Sequence, residues 1–193
     1  MINKKDFNRI RKELEKTDTL REEIIIHSRR ILKLSKQAIY ALHRNQLAES
    51  DKYLNTASAI IEQLRTKISA SPLDPSTNIF SSALQEYTEA KCYYCFLNEQ
   101  RLPTSVELKI DFENYLLGIC DLTGELERRA VHSVIKEDFS QVKIIHEMVQ
   151  SIFQEFLKFD FRNSELRKKS DAIKWNLKRI ESVLYDLKLR GKT

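Results

Sequence analysis

The chain has 193 residues, 41% hydrophobic and 32% charged, with only three glycines and three prolines. That length suits one domain, residues 1–193, with a core large enough to need no disulfide staples; neither G-x-G-x-x-G nor G-x-x-x-x-G-K-[ST] occurs, and no apolar run approaches the roughly 20 residues of a membrane span, so the common nucleotide-binding loops and a membrane anchor are excluded. The net charge of +5 is uneven: residues 162–193 carry 10 Lys and Arg against 4 Asp and Glu, which points to an anionic partner such as nucleic acid or to a solvated Lys-rich face.

Met1 to Asp6 has no signal-peptide core, which predicts a cytoplasmic protein. Residues 2–45 read as one long helix, with Thr17-Asp18 as a candidate bend and Ile24, Ile31, Leu34, Ala38, Ala41 and Leu42 at three- and four-residue steps. A second helix is expected from Gln46 to Ile68. Ser69 to Ser76 is a loop, because two prolines and the residues before them reject helix geometry. Ser76 or Thr77 can cap a third helix that reaches Asn98. Pro103 breaks the chain again, and Thr104 can cap a short fourth helix. The fifth runs from Asp111 to Lys136 and is striped by Phe112, Tyr115, Leu116, Ile119, Leu126 and Val134. Asp138 opens a sixth, and Asn163 caps a seventh that ends at Gly191. Few glycines and prolines with many Leu, Ile, Glu and Lys make this an all-α protein. Short connections favour antiparallel neighbours, so the expected architecture is a seven-helix antiparallel bundle.

Two acid pairs stand out. Glu86 and Glu89, three apart on the third helix, share a face, as do Asp121 and Glu125, four apart on the fifth. Within each pair the like charges cost roughly 0.2–0.5 kcal/mol unless something offsets them. A divalent cation such as Mg²⁺ or Mn²⁺, bound by oxygens from two helices, would do so; solvated faces that meet Lys or Arg would serve as well. Gly118 and Gly124 flank Asp121, where each costs roughly 0.8–1.0 kcal/mol relative to Ala. Close approach of a ligand or of another helix would account for either. Cys92-Tyr93-Tyr94-Cys95 has C-x-x-C spacing, but only Cys120 remains as a further thiol, so buried thiols are expected rather than structural zinc. The histidines, His27, His43, His132 and His146, form neither H-E-x-x-H nor E-x-x-H.

Leu84-Gln85-Glu86-Tyr87-Thr88-Glu89-Ala90 resembles the L-Q-E-Y-V-E-A segment of the Trax-type members of the translin/Trax family. Tyr115 to Leu126, Y-L-L-G-I-C-D-L-T-G-E-L, is similar to their Y-L-L-G-V-A-D-L-T-G-E-L. Ser35-Lys36 through Leu42-His43-Arg44 resembles their S-K…L-H-R stretch. Leu166-Arg167-Lys168-Lys169 and Val183 to Gly191 instead resemble the translin type. The resemblance implies a seven-helix subunit of the translin type in a closed, hollow homo-oligomer. It implies a metal-dependent endoribonuclease acting on single-stranded RNA, with single-stranded DNA as a second ligand. Glu86, Glu89, Asp121 and Glu125 would then be metal-binding and catalytic, and Lys36 would be a basic residue beside them. Where the family has a His-rich stretch before the third helix's L-Q, this chain has Asn78-Ile79-Phe80-Ser81, with no basic residue. A non-catalytic oligomer that binds RNA or single-stranded DNA is the competing reading. The last helix, through Val183, Leu184 and Leu187, is the expected subunit contact.

Overall fold

Asn3 opens the first helix by accepting from the amides of Lys5 and Asp6 at 3.1 and 3.3 Å, and α1 then runs unbroken from Lys4 to His43, through Thr17 and Asp18. The structure is a computed structural model that describes residues 2–70, 78–162 and 164–192. The other helices are α2 (Leu47–Ser69), α3 (Asn78–Glu99), α4 (Ser105–Leu108), α5 (Phe112–Ile135), α6 (Phe139–Phe156) and α7 (Glu165–Leu189). No strand occurs among the described residues.

The caps follow the side chains. Thr104 and Glu107 form a reciprocal capping box on α4, Asp111 accepts from the amide of Asn114 at 3.0 Å, and Asp138 accepts from that of Gln141 at 3.2 Å. On α7 the cap is Ser164, which accepts from the amide of Arg167 at 3.4 Å. The expected caps at Ser76, Thr77 and Asn163 lie outside the described residues, as does most of the Ser69–Ser76 loop. Gly191 stops the chain's last helix at φ +64°, as expected. With so few glycines, Asn45, Gln100 and Glu137 take the same left-handed backbone after α1, α3 and α5.

Contacts between the odd-numbered helices advance in step. Lys36 faces Glu86 and His43 meets Tyr93 between α1 and α3. Ser81 meets Asn114, and Thr88 meets Gly118, between α3 and α5. Asp121 meets Lys169, and Thr123 meets Asn176, between α5 and α7. The four long odd helices therefore run parallel, while α2 and α6 return antiparallel, as the Glu23–Lys67 and His146–Glu181 pairs require. After α3 the connection doubles back along the bundle, held where Tyr115 donates its hydroxyl hydrogen to the carbonyl of Pro103 at 2.9 Å.

One continuous core joins Ile31, Leu42, Leu54, Leu64, Tyr93, Phe96, Leu122, Leu126, Ile145 and Ile180. Phe112, expected in the α5 stripe, is instead 74% exposed, because it occupies the first position of the helix, ahead of the half-buried Tyr115 and Leu116. Leu187 is buried, and Val183 and Leu184 pack on the chain's own core, so the apolar area expected to serve a subunit contact is largely covered within the subunit. Trp175, Tyr185 and Leu189 are the exposed apolar residues of α7. Before Leu20 the first helix buries nothing, and Phe7, Ile10 and Leu14 face solvent. No described helix is long and apolar enough to cross a membrane.

Candidate functional site

The parallel register puts one level of α1, α3, α5 and α7 side by side. Gly118 is why α5 lies so close to α3: a Cβ there would stand 2.7 Å from the carbonyl oxygen of Gln85 and 2.6 Å from the Cβ of Thr88. Gly124 has no such role, since its nearest neighbour would be the Asn176 side chain at 3.8 Å. The close approach brings the acids of α3 and α5 into one another's field.

Glu89 is 8% exposed on the central helix. Burial, reinforced by the charges of Glu86, Asp121 and Glu125, pushes its carboxyl up to about 9. Glu86 is half-buried, and its proton affinity is raised by burial and by Asp121 and Glu125, against the opposing pull of Lys36 and Lys169. Neither glutamate has a hydrogen-bond partner among the described residues. Lys36 itself is exposed.

The α5 acids are countered. Lys169 Nζ donates to Asp121 Oδ2 at 2.6 Å. His43 Nε2 meets Glu125 Oε2, Arg128 lies 3.7 Å from the same oxygen, and Tyr93 stands 3.4 Å from His43 Nδ1. Burial raises the proton affinity of the Tyr93 hydroxyl, which keeps it neutral beside the imidazole.

All five residues singled out in the sequence thus lie around one level of the bundle. Among the described residues, no three His, Cys, Asp or Glu side chains stand close enough, as placed, to hold a metal ion. The donor chemistry nonetheless fits a hard divalent cation: four carboxyl groups, one of them buried and without a basic hydrogen-bond partner. Lys169 holds only Oδ2 of Asp121, and His43 and Arg128 meet only Oε2 of Glu125, so each acid keeps a second oxygen that could face a cation. His43, Tyr93 and Lys169 are the neighbours that sequence reasoning did not place here. Cys92, Cys95 and Cys120 are free, buried thiols, and burial pushes Cys120 up to about 12, so they are inert at neutral pH.

A family model described as the translin family matches residues 19–191. An uncharacterized protein of Methanocaldococcus jannaschii is 26% identical over 184 residues, covering 92% of this chain and 82% of that protein. Translin-associated protein X of Rattus norvegicus is 25% identical, covering 96% of this chain and 78% of its own. Translin of Gallus gallus is 39% identical over 82 residues, 42% of this chain and 36% of that protein. Among solved structures, apo-NeC3PO has a TM-score of 0.86 at 27% identity, with 94% and 96% of the two chains covered. The AfC3PO–duplex RNA complex has a TM-score of 0.87 at 23% identity, covering 96% and 97%, and shows the shared fold.

Proposed function

The chain belongs to the translin family, and on that footing we propose that it is a metal-dependent endoribonuclease whose site is formed by Glu86, Glu89, Asp121 and Glu125. The observation that carries this reading is Glu89, a buried acid with no basic hydrogen-bond partner among the described residues, facing three other acids. Burial keeps this acid protonated, and a divalent cation among the four acids is what would let it ionise.

Glu86 and Glu89 from α3 and Asp121 and Glu125 from α5 are the residues that would hold Mg²⁺ or Mn²⁺. Such an ion supplies a water of lowered pKa and positive charge beside the phosphoryl oxygens. Glu89 must give up its proton to serve as an oxygen ligand. His43 orients Glu125 from behind, and Tyr93 adjoins the other ring nitrogen. Lys36, exposed and within the field of Glu86, would meet a phosphate. Arg167, Lys168, Lys174 and Lys178 add exposed positive charge to α7, with Arg167 and Lys174 on its α6 side rather than beside Lys169.

The exposed stripe of Phe7, Ile10 and Leu14, with an apolar groove of about 400 Å³ lined by Leu116, Met148, Ile152 and Phe159, supports a homo-oligomer. The closed, hollow form expected from the resemblance belongs to this proposal. Light scattering at micromolar concentration tests it: a stable monomer rejects the assembly.

The non-catalytic reading, an oligomer that binds RNA or single-stranded DNA, is favoured by one observation: Asp121 and Glu125 already have basic partners. Cleavage of labelled RNA in Mg²⁺ or Mn²⁺ against EDTA decides between the two. AfC3PO has been captured with duplex RNA, so single-stranded and duplex substrates are compared. The nuclease reading expects metal-dependent cleavage that prefers single strands. Glu89→Ala and Asp121→Ala should cut it on the order of a hundredfold or more with RNA affinity retained. Lys36→Ala should weaken binding as well, lowering the salt slope by about one unit. Full cleavage by Asp121→Ala would remove the proposed site, and no metal-dependent cleavage by the wild type would put the binding reading first.

A further inference from the structure

Lys169 is the lysine that pairs with an acid of the cluster, Asp121, and it also bears on Glu86 and Glu89. It lies on α7, which is fixed against α5 by the buried Leu166, Ile173, Leu177 and Ile180. Three ties advance in step along that contact: Lys169 to Asp121 at 2.6 Å, Asn176 to Thr123 at 2.8 Å and Arg179 to Glu127 at 3.4 Å. The ammonium is therefore aimed by helix packing rather than by chance on a solvated surface. Its charge also eases the ionisation of Glu86 and Glu89, whereas that of Lys36 bears on Glu86. The Lys169 and Asp121 side chains are 29% and 35% exposed, so the pair is neither locked in the core nor free in water. A pair in that setting can be opened by a stronger cation, and a lysine's flexible stem lets its head move several ångströms without moving the helix.

We infer that Lys169 is a resident counter-cation of the site: it holds Asp121 when no divalent ion is bound, competes with that ion for the Asp121 carboxylate, and is released toward the RNA phosphate when the ion takes Asp121. The inference rests on the metal-binding reading above.

Titrating the full chain with Mn²⁺, followed by the electron paramagnetic resonance of the free ion and without RNA, tests it. Lys169→Met should bind Mn²⁺ roughly three- to tenfold tighter than the wild type, because a competing charge is gone. Lys169→Arg should stay within about twofold of wild type. RNA cleavage by Lys169→Met should fall despite its tighter metal, a combination that a merely structural lysine would not give. Unchanged or weaker Mn²⁺ binding by a folded Lys169→Met overturns the inference. A second measurement needs no variant: acetylation of Lys169 in the wild-type protein, followed by mass spectrometry, should speed up when Mn²⁺ is added. No change in that rate also overturns it. Mn²⁺ binding by Lys169→Met but not by the wild type would support the counter-cation and sink the metal-dependent reading of the native site. Failure of both to bind would sink the two together.

Discussion

Glu86 and Glu89 on α3 and Asp121 and Glu125 on α5 face each other across one helix contact, yet their charges are met in different ways. The α3 helix packs against α1, α2 and α5, so its acids lose water and gain no hydrogen-bonded basic partner, with Lys36 and Lys169 acting on them only at a distance. The α5 acids lie where α1 and α7 deliver His43 and Lys169. Four acids of similar appearance in the sequence thus divide into a pair that the fold leaves without a direct basic partner and a pair that it joins to one. A site of this kind is half prepared: one side lacks a basic partner, and the other already has one on a single oxygen of each acid.

The largest effect expected from that contrast is on stability. The Glu89 carboxyl sits at about 9 in the folded chain against an ordinary value of 4.5. The fold therefore favours the protonated form. The contribution of this group is fully present below about pH 4.5 and is lost as pH rises toward 9. In EDTA, Glu89→Gln should stabilise the protein at pH 8 by up to about 5 kcal/mol, or roughly 10–20 °C in Tm, and by almost nothing at pH 4.5. Saturating Mn²⁺ should raise the wild-type Tm and leave Glu89→Gln nearly unmoved, so that the order of the two reverses. Calorimetry at both pH values, with and without the ion, checks each part. A wild-type Tm that is flat with pH in EDTA would remove the contrast.

Next in size is the contact that makes the two pairs neighbours. Gly118→Ala puts a methyl group against a backbone carbonyl at 2.7 Å and against Thr88 at 2.6 Å. The helices must separate, at a cost of about 2 kcal/mol. Mn²⁺ affinity should fall as well, since the α3 and α5 oxygens part. Denaturant unfolding and a Mn²⁺ titration on one preparation read both effects. Smaller again is Asp121→Asn in EDTA. It removes a partner of Lys169 rather than an uncompensated charge, so it should destabilise by up to about 1 kcal/mol. That is opposite in sign to Glu89→Gln, and thermal melts of the two variants side by side check the reversal.

Much of the fold was legible because its causes are local. Helical spacing, Pro103, and the caps at Thr104, Asp111 and Asp138 fix where helices begin and break. The parallel pairing of α1, α3, α5 and α7 was not legible, since it depends on contacts far apart in sequence. The same limit hid His43 and Lys169, whose partners lie 82 and 48 residues away. Both already stood inside segments that resemble the family, the L-H-R stretch and Leu166 to Lys169, and those segments were the available signal. The acid pairs were legible as pairs, but which one the fold would neutralise was not. Burial and counter-charge come from neighbouring helices.

The two glycines that flank Asp121 had the same reading in the sequence, and the structure separates them. Gly118 is held by helix contact. Gly124 is half-buried in the interior of α5, with only the Asn176 amide nitrogen within 4 Å of where a Cβ would sit, at 3.8 Å. That is ordinary van der Waals contact, and Asn176 can keep its hydrogen bond to Thr123. Its backbone is not left-handed, so an L side chain adds no strain. Gly124→Ala should therefore gain helix propensity, at most about 1 kcal/mol, which raises Tm by roughly 2–4 °C. Two carboxylates of the site, Asp121 and Glu125, lie within three residues of Gly124, so the same variant asks whether a ligand needs the missing methyl. A higher Tm with unchanged RNA cleavage makes Gly124 incidental to the chemistry and leaves Gly118 as the glycine that joins the two acid pairs. A higher Tm with cleavage lost would mean that the RNA backbone passes over α5 at this point, on the side where Lys169 reaches Asp121.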